Sequence, residues 1–393
     1  MTTKVMHLAD RAAKALPTSL DSQRFEQLDA MRGLAALSVV FGHFLNVIPV
    51  LGEVGGGPFE QIARYVRWYK YTPAFTLTAA HEAVILFFLL SGFVLALPFV
   101  RGANIPFRKF LVKRVFRIYL PYLLAIVIAI YGMVLCSTNG ISTLSYWFNQ
   151  IWTGQITSYS VVNHILLLNS FDNDQFNPSI WSLVHEMRVS IIFPFVVAAV
   201  LRLPLWANLM GALFISITGM TLHRLTEGRV DYFLTLHYLS IFVVGILIAR
   251  HLNDLQAAFQ RLTRRQKIWL AGGGVLFYLY GRAIALILPG WEFQDWPILF
   301  GAGIIVMCSL FSVRVASILK VSVFRLLGQI SYSLYLMHST VLFTCVYLLY
   351  GRWPLDRILG LALVLTFIVS VVFHYTVERT AMRWGQQVAK RMR

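Results

Sequence analysis

Ten stretches rich in apolar residues recur along the chain, each about long enough to cross a bilayer as a helix. They lie near residues 28–50, 80–101, 109–135, 180–201, 204–222, 233–251, 267–289, 295–320, 324–350 and 357–379. At 1.5 Å per residue, about 20 residues span the hydrocarbon core. Only helices and closed barrels satisfy their backbone polar groups there, so the pattern predicts an all-α polytopic membrane protein. Composition agrees: 58% of the 393 residues are hydrophobic and only 13% are charged. Soluble domains run near ~25% charged, so a soluble enzyme and a disordered chain are both excluded. Three cysteines, Cys136, Cys308 and Cys345, are too few and too scattered for a disulfide framework or a zinc site.

The net charge of +17 would elsewhere point to nucleic acid. Here most of it reads as topology. With the N-terminus inside, 24 of the 34 Lys and Arg fall in cytosolic segments or at cytosolic helix ends, and 7 fall outside. That asymmetry follows the positive-inside rule and predicts about ten helices with both termini cytosolic. The seven external residues are Arg64, Arg67, Lys70, Arg224, Arg229, Arg352 and Arg357. The longest external loop, 136–179, has no Lys or Arg at all. Residues 1–24 carry no apolar run and read as a cytosolic tail rather than a signal peptide. A single membrane domain over 25–385 and a basic cytosolic tail at 386–393 complete the expected organisation. No fused soluble catalytic domain, internal repeat or metal-ligand cluster is expected.

Ionisable side chains inside spans cost several kcal/mol and are functional suspects by default. Arg32 and His43 are 11 residues apart on the first span, close to three turns, and so share one face about 16 Å apart. Arg114 and Arg117 are three apart at a cytosolic helix end, where paired guanidinium groups suit phosphate. Glu186 lies roughly 9 Å in from the outer end of the fourth span, at a depth like that of His43. Trp181, His185 and Arg188 share a face at i, i+4 and i+7. Ser331, Tyr335 and His338 form a polar stripe on the ninth span. Glu82 and Arg282 are placed to line an outward-facing cavity, and His374 with Glu378 to orient an arginine. Each also has a structural reading. Arg32, Arg114 and Arg117 would serve as interfacial anchors, Arg188 would sit in an ion pair, and the ninth-span stripe would pack helix on helix.

Two polar layers emerge. Arg32, Arg114 and Arg117 could hold a phosphate-bearing ligand from the cytosol. His43, Glu186 and His338, deeper and nearer the outside, have the residue types for acid–base work. An enzyme and a proton-coupled transporter or flippase of an anionic or sugar substrate both fit such buried charges. No inverted repeat supports the transporter.

The run LDAMRGLAALSVVFGHF (28–44), with its Arg and His ten residues between, resembles the opening helix of the membrane-bound acyltransferase 3 family. FFLLSGFVL (87–95), KRVFRIYLPY (113–122), NPSIWSLVHE (177–186), LGQISYSLYLMH (327–338) and HYTVER (374–379) resemble its later blocks in order. The resemblance extends over about 25–385. It implies a multi-pass protein of the cytoplasmic membrane that moves an acyl group, usually acetyl, from cytosolic acyl-CoA to an extracytoplasmic or lipid-linked glycan, peptidoglycan or a small molecule. It implies a catalytic His43 supported by Arg32, and CoA phosphates held by Arg114 and Arg117. Glu186 would orient the histidine or bind sugar, with His338, Tyr335, Ser331, Trp181, Arg188 and Glu82 nearby as weaker acceptor contacts. Acyl-CoA (acetyl-CoA) is a cosubstrate rather than a tightly bound cofactor, and no metal and no nucleic acid are implied. The partners are membrane lipid, acyl-CoA and a carbohydrate acceptor; homo-oligomers and association with glycan-assembly proteins are compatible with it. MRV after Glu186 departs from the family's commoner, more aromatic sequence. A different membrane acyltransferase family with an Asn and His pair is a further alternative, and His43 could act as a base or carry the acyl group.

Overall fold

The computed structural model describes residues 25–52, 78–138, 140–172, 174–282 and 291–392. The expected tail at 1–24, the external Arg64, Arg67 and Lys70, and the outer end of the span at 267–289 lie outside the described residues. Among the described residues the regular elements are helices. Those that matter here are α1 (Glu26–Asn46), α2 (Ala80–Val100), α3 (Phe107–Cys136), α4 (Ser158–Leu166), α5 (Trp181–Arg202), α6 (Leu205–Leu225) and α7 (Tyr232–Arg250). They continue with α8 (Leu252–Arg261), α9 (Arg264–Tyr280), α10 (Asp295–Phe311), α11 (Val313–Leu319), α12 (Ser322–Leu349) and α13 (Leu355–Arg391).

Eight of these helices are long and apolar enough to cross a membrane, or nine if the bent pair α10–α11 counts as one span. The expected span at 267–289 corresponds to α9, which is 17 residues long and is not among them. Phe25, Leu28 and Asp29 before and within α1 line the same cavity as Arg379, Met382 and Gln386 of α13. The two described ends of the chain therefore meet at one end of the bundle, as two termini on one side require. That end is rich in arginine and is called the basic end below.

Burial sorts the helices. In α12, 78% of the apolar window is buried, and in α2 and α7 67%, against 28% in α6 and 33% in α13. The first three form the centre, and the last two face lipid. α2 suits its place because its sequence is apolar all round, as a helix without a solvent face must be. α1 packs mainly on α12, and α2 mainly on α7. The α1–α12 crossing is backbone on backbone. A Cβ on Gly33 would lie 2.5 Å from the Leu327 carbonyl carbon, and one on Gly328 2.5 Å from the Asp29 carbonyl oxygen. Small residues permit this approach where helices meet in a membrane. Gly33→Ala or Gly328→Ala should force the two helices apart and cost about 1–3 kcal/mol. A lowered unfolding temperature in detergent checks this; an unchanged temperature would mean that the crossing relaxes freely.

Two expectations are corrected. The segment at 295–320 is not one straight span, because α10 and α11 meet at Ser312 with a 92° bend. The segment 136–179 is not a loop lying wholly outside. It folds back against the bundle, where several of its carbonyls accept from side chains. α4 starts with a Thr157–Ser160 capping box. Beyond it, Tyr119 and Tyr122 of α3 donate to the carbonyls of Ile165 (2.5 Å) and His164 (2.7 Å). Tyr119 is about 18 Å along a helix about 45 Å long, so the segment meets α3 well away from its Cys136 end. Trp152 Nε1 donates to the Phe176 carbonyl at 2.8 Å, and Asn177 Nδ2 to the Leu336 carbonyl at 2.8 Å. The apolar outer face of α4, Tyr159, Val162, Ile165 and Leu166, remains exposed and suits lipid.

Candidate active site

The tight α1–α12 crossing brings two histidines together from opposite ends of the sequence. His43 Nδ1 lies 2.9 Å from His338 Nε2, with the ring centroids 5.1 Å apart and the ring planes 27° from parallel. His338 Nδ1 lies 3.0 Å from the Leu334 carbonyl. Around the junction stand Ser339 Oγ, 3.2 Å from His338 Nε2, and Ser179 Oγ, 3.4 Å from it. The two hydroxyls are 3.2 Å apart. Ser179 belongs to the re-entrant segment, and Trp147, from the same segment, has its ring centroid 5.1 Å from that of His43. The refolded 136–179 stretch thus builds one wall of the histidine site.

One turn from His338 toward the basic end, Tyr335 hydrogen-bonds Ser182 at 2.7 Å. Both line a chamber of about 100 Å³, with Ser331, Arg32, Arg114, Arg117 and Glu186 also on its walls. Next to it a vestibule of about 770 Å³ lies at the basic end. The two share Arg32, Arg117, Val94, Ser331 and Tyr332. The vestibule adds Arg101, Arg379, Tyr375, His374 and Glu378. Arg32 pairs with Asp29 at 3.7 Å, a loose contact that leaves the guanidinium facing both spaces.

The arginines at the start of α3 separate into two kinds. Arg114 is buried and donates to Glu186 Oε1 at 2.7 Å and to Ser190 Oγ at 3.1 Å. Arg117 is exposed on the cavity wall. Between them begins a π-helical turn, Val115–Tyr119. Such turns loosen the regular hydrogen-bond ladder and recur at functional sites. Tyr332 OH donates to the Ile118 carbonyl within the turn, at 2.7 Å, and so ties α12 to the place where α3 deviates. A second π turn, His374–Glu378, faces the vestibule. There Glu378 accepts from Ser333 Oγ at 2.6 Å and contacts His374 Nδ1 at 2.9 Å. These two residues bind each other and α12 rather than orienting an arginine.

The remaining expected site residues fall in three places. Ser331 and Tyr335 line the chamber, and His338 meets His43, so the stripe on α12 does form one polar face. Glu186 sits with the arginines instead of in a layer with His43: its carboxylate accepts from Arg114 and, at 3.2 Å, from Ser91. Arg188 is no acceptor contact. Its guanidinium donates to the carbonyls of Leu168 (3.0 Å) and Asn169, to Thr235 Oγ1 (3.1 Å) and to Asp231 (3.1 Å), and it covers the Tyr232 ring. It pins the re-entrant segment to α7. Glu82 is fully buried in a two-pronged pair with Arg282, both contacts at 3.0 Å, which links α2 to the chain just past α9. Trp181 lies near His81 and packs edge-on against Phe88, behind the chamber wall that Phe88 lines.

Sequence reasoning missed Ser179, Ser182, Ser339, Trp147 and Tyr332. Ser179 and Ser182 were inside a quoted block, NPSIWS, whose asparagine caps the turn: Asn177 Oδ1 accepts from the Ser179 amide at 3.0 Å. It also missed a buried knot in which Asp295 contacts His81 Nε2 at 2.5 Å and His237 Nε2 at 3.0 Å. His237 Nδ1 in turn lies 2.7 Å from Ser216. The knot joins α2, α6, α7 and α10.

Fold and site together define a multi-pass helical membrane protein whose interior holds a histidine pair beside an arginine-lined cavity. Residues 25–375 match the family model described as an acyltransferase domain, and the chain belongs to the acyltransferase 3 family. It is therefore a membrane acyltransferase. No curated protein and no solved structure matches it. Family membership favours the enzyme over the transporter.

Proposed function

We propose that the protein transfers an acyl group, in the simplest case acetyl, from cytosolic acyl-CoA to a hydroxyl of an extracytoplasmic or lipid-linked glycan, in the cytoplasmic membrane. The observation that carries this reading is the arginine-lined cavity at the basic end, which stops one helical turn short of the histidine pair. The positive-inside rule makes that end cytosolic. CoA carries a diphosphate and a 3′-phosphate, and Arg32, Arg101, Arg117 and Arg379 are the guanidinium groups that face the vestibule. Its pantetheine arm is a thin flexible chain that can pass Tyr335 and bring the thioester toward His43. Arg32 and His43, about 16 Å apart on one face of α1, mark the two ends of that path.

In the transfer, His43 removes the proton from the acceptor hydroxyl as its oxygen attacks the thioester carbonyl carbon. The carbon–sulfur bond then breaks, and the proton passes from His43 to the departing thiolate, giving the ester, free CoA and the starting imidazole. Arg114 and Glu186 neutralise each other beside the path, so they shape the chamber wall without adding net charge.

Purified protein in detergent, mixed with labelled acetyl-CoA and envelope glycans, should transfer label, whereas a transporter needs two compartments. No transfer to any glycan would overturn the reading. Arg101→Ala and Arg379→Ala should each raise KM for acetyl-CoA about tenfold with little change in kcat, the signature of lost binding that is uniform along the reaction. Unchanged KM would reduce both to helix-end anchors.

A further inference from the structure

We infer that His338 is a positioning residue: it holds His43 in the tautomer protonated on Nδ1 and thereby makes Nε2 of His43 the basic atom. The catalytic consequence rests on the acyl-transfer reading above; the tautomer itself does not.

The assignment starts from an atom whose role is fixed. The Leu334 carbonyl can only accept, so His338 Nδ1, 3.0 Å away, carries a proton. His338 is fully buried, and its hydrogen-bond partners among the described residues are a carbonyl, two serines and His43, with no carboxylate. An imidazolium there would be an unpaired buried charge, so the ring is neutral and Nε2 holds a lone pair. That lone pair faces His43 Nδ1 at 2.9 Å, with the hydroxyls of Ser339 and Ser179 farther off at 3.2 and 3.4 Å. Two ring nitrogens at 2.9 Å cannot both be bare or both protonated. His43 Nδ1 therefore carries the hydrogen and donates it. A neutral imidazole has one N–H, so His43 Nε2 is bare. No hydrogen bond occupies it among the described residues.

The result is a relay from a backbone carbonyl through two imidazoles. Its logic is that of any base oriented by a third group. The difference is that the terminal acceptor is uncharged. When His43 takes up a proton, His338 keeps it oriented but offers no negative charge, so removing His338 should cost less than removing His43. The arrangement also explains why His338 is fully enclosed: its two nitrogens are committed to Leu334 and His43, and none is left for an acceptor sugar.

The test is His-selective 15N labelling of the whole protein in detergent, with His43→Ala identifying the His43 signals. In the wild type His43 should show a protonated Nδ1 and an unprotonated Nε2, and His338→Leu should give a mixture of tautomers. A wild-type His43 protonated on Nε2, or an unchanged tautomer in His338→Leu, would overturn the inference. Kinetically, His338→Leu should lower kcat about 100-fold with KM for acetyl-CoA held within about twofold. His338→Gln, whose amide oxygen can accept from His43 Nδ1, should recover to within about tenfold of wild type. Equal loss in the Leu and Gln variants with the fold intact would make His338 merely structural and sink the proposal. Absence of transfer by the wild type would overturn the acyl-transfer reading while the tautomer measurement still decides the role of His338.

Discussion

His43→Ala leaves an inserted, folded bundle that no longer transfers acyl groups. The expected loss in kcat is at least about 10³-fold, because the base and its orientation disappear together, and positioned acid–base groups are worth about 10²–10⁴. The fold should survive. His43 Nδ1 contacts His338 at 2.9 Å and Ser339 Oγ at 3.4 Å, and its removal breaks no ion pair among the described residues. Single substitutions of that kind cost about 0.5–3 kcal/mol. Labelled-acetyl transfer and gel filtration on the same preparation check both halves. Retention of kcat within tenfold of wild type would falsify the catalytic assignment, and loss of both activity and assembly would make His43 a packing residue.

The second large effect belongs to the Arg114–Glu186 pair. Arg114→Met alone should destabilise the protein by about 3 kcal/mol, because it leaves the Glu186 carboxylate inside the bundle without its cation. Glu186→Leu alone should act similarly on Arg114. Arg114→Met with Glu186→Leu together should restore most of the loss, since replacing a buried pair by apolar groups of similar volume is often close to neutral. Denaturation in detergent across the four proteins reads the coupling directly. Additive losses would show that cavity water screens the two charges from each other. In the double variant KM for acetyl-CoA should stay near wild type, because Arg32, Arg101, Arg117 and Arg379 remain.

Much of the fold was legible from the chain alone, for a reason particular to membranes. Hydrocarbon sets both the length and the composition of a crossing helix, and loop charge sets its direction. Eight or nine of the ten expected spans accordingly coincide with helices long and apolar enough to cross, with α10 ending in a bend, and the described part of the span at 267–289 holds the shorter α9. What was not legible depends on neighbours. The bend at Ser312 is one such feature; others are the π turns in α3 and α13 and the return of 136–179 to the bundle, where Tyr332, Ser333, Tyr122 and Arg188 supply partners from other helices. A stretch without Lys or Arg looks external by charge; tertiary contacts return part of this one to the bundle.

The site divides in the same way. Helical spacing put Arg32 and His43 on one face of α1, and Ser331, Tyr335 and His338 on one face of α12. It could not say that these two faces meet with two ring nitrogens 2.9 Å apart, because the partners are 295 residues apart in sequence. Depth along a helix suggested that Glu186 belongs with His43. Rotation about the helix axis and the position of Arg114 placed it with the arginines instead. Taken alone, then, the sequence determined the helices, their direction and which polar residues each one carries inside, since these follow from transfer energies and periodicity along one chain. Which of those residues touch, which cancel, and which nitrogen of His43 stays free was decided only by the tertiary structure. Hydrogen bonds and ion pairs act over about 3 Å, and only packing brings distant parts of a chain that close.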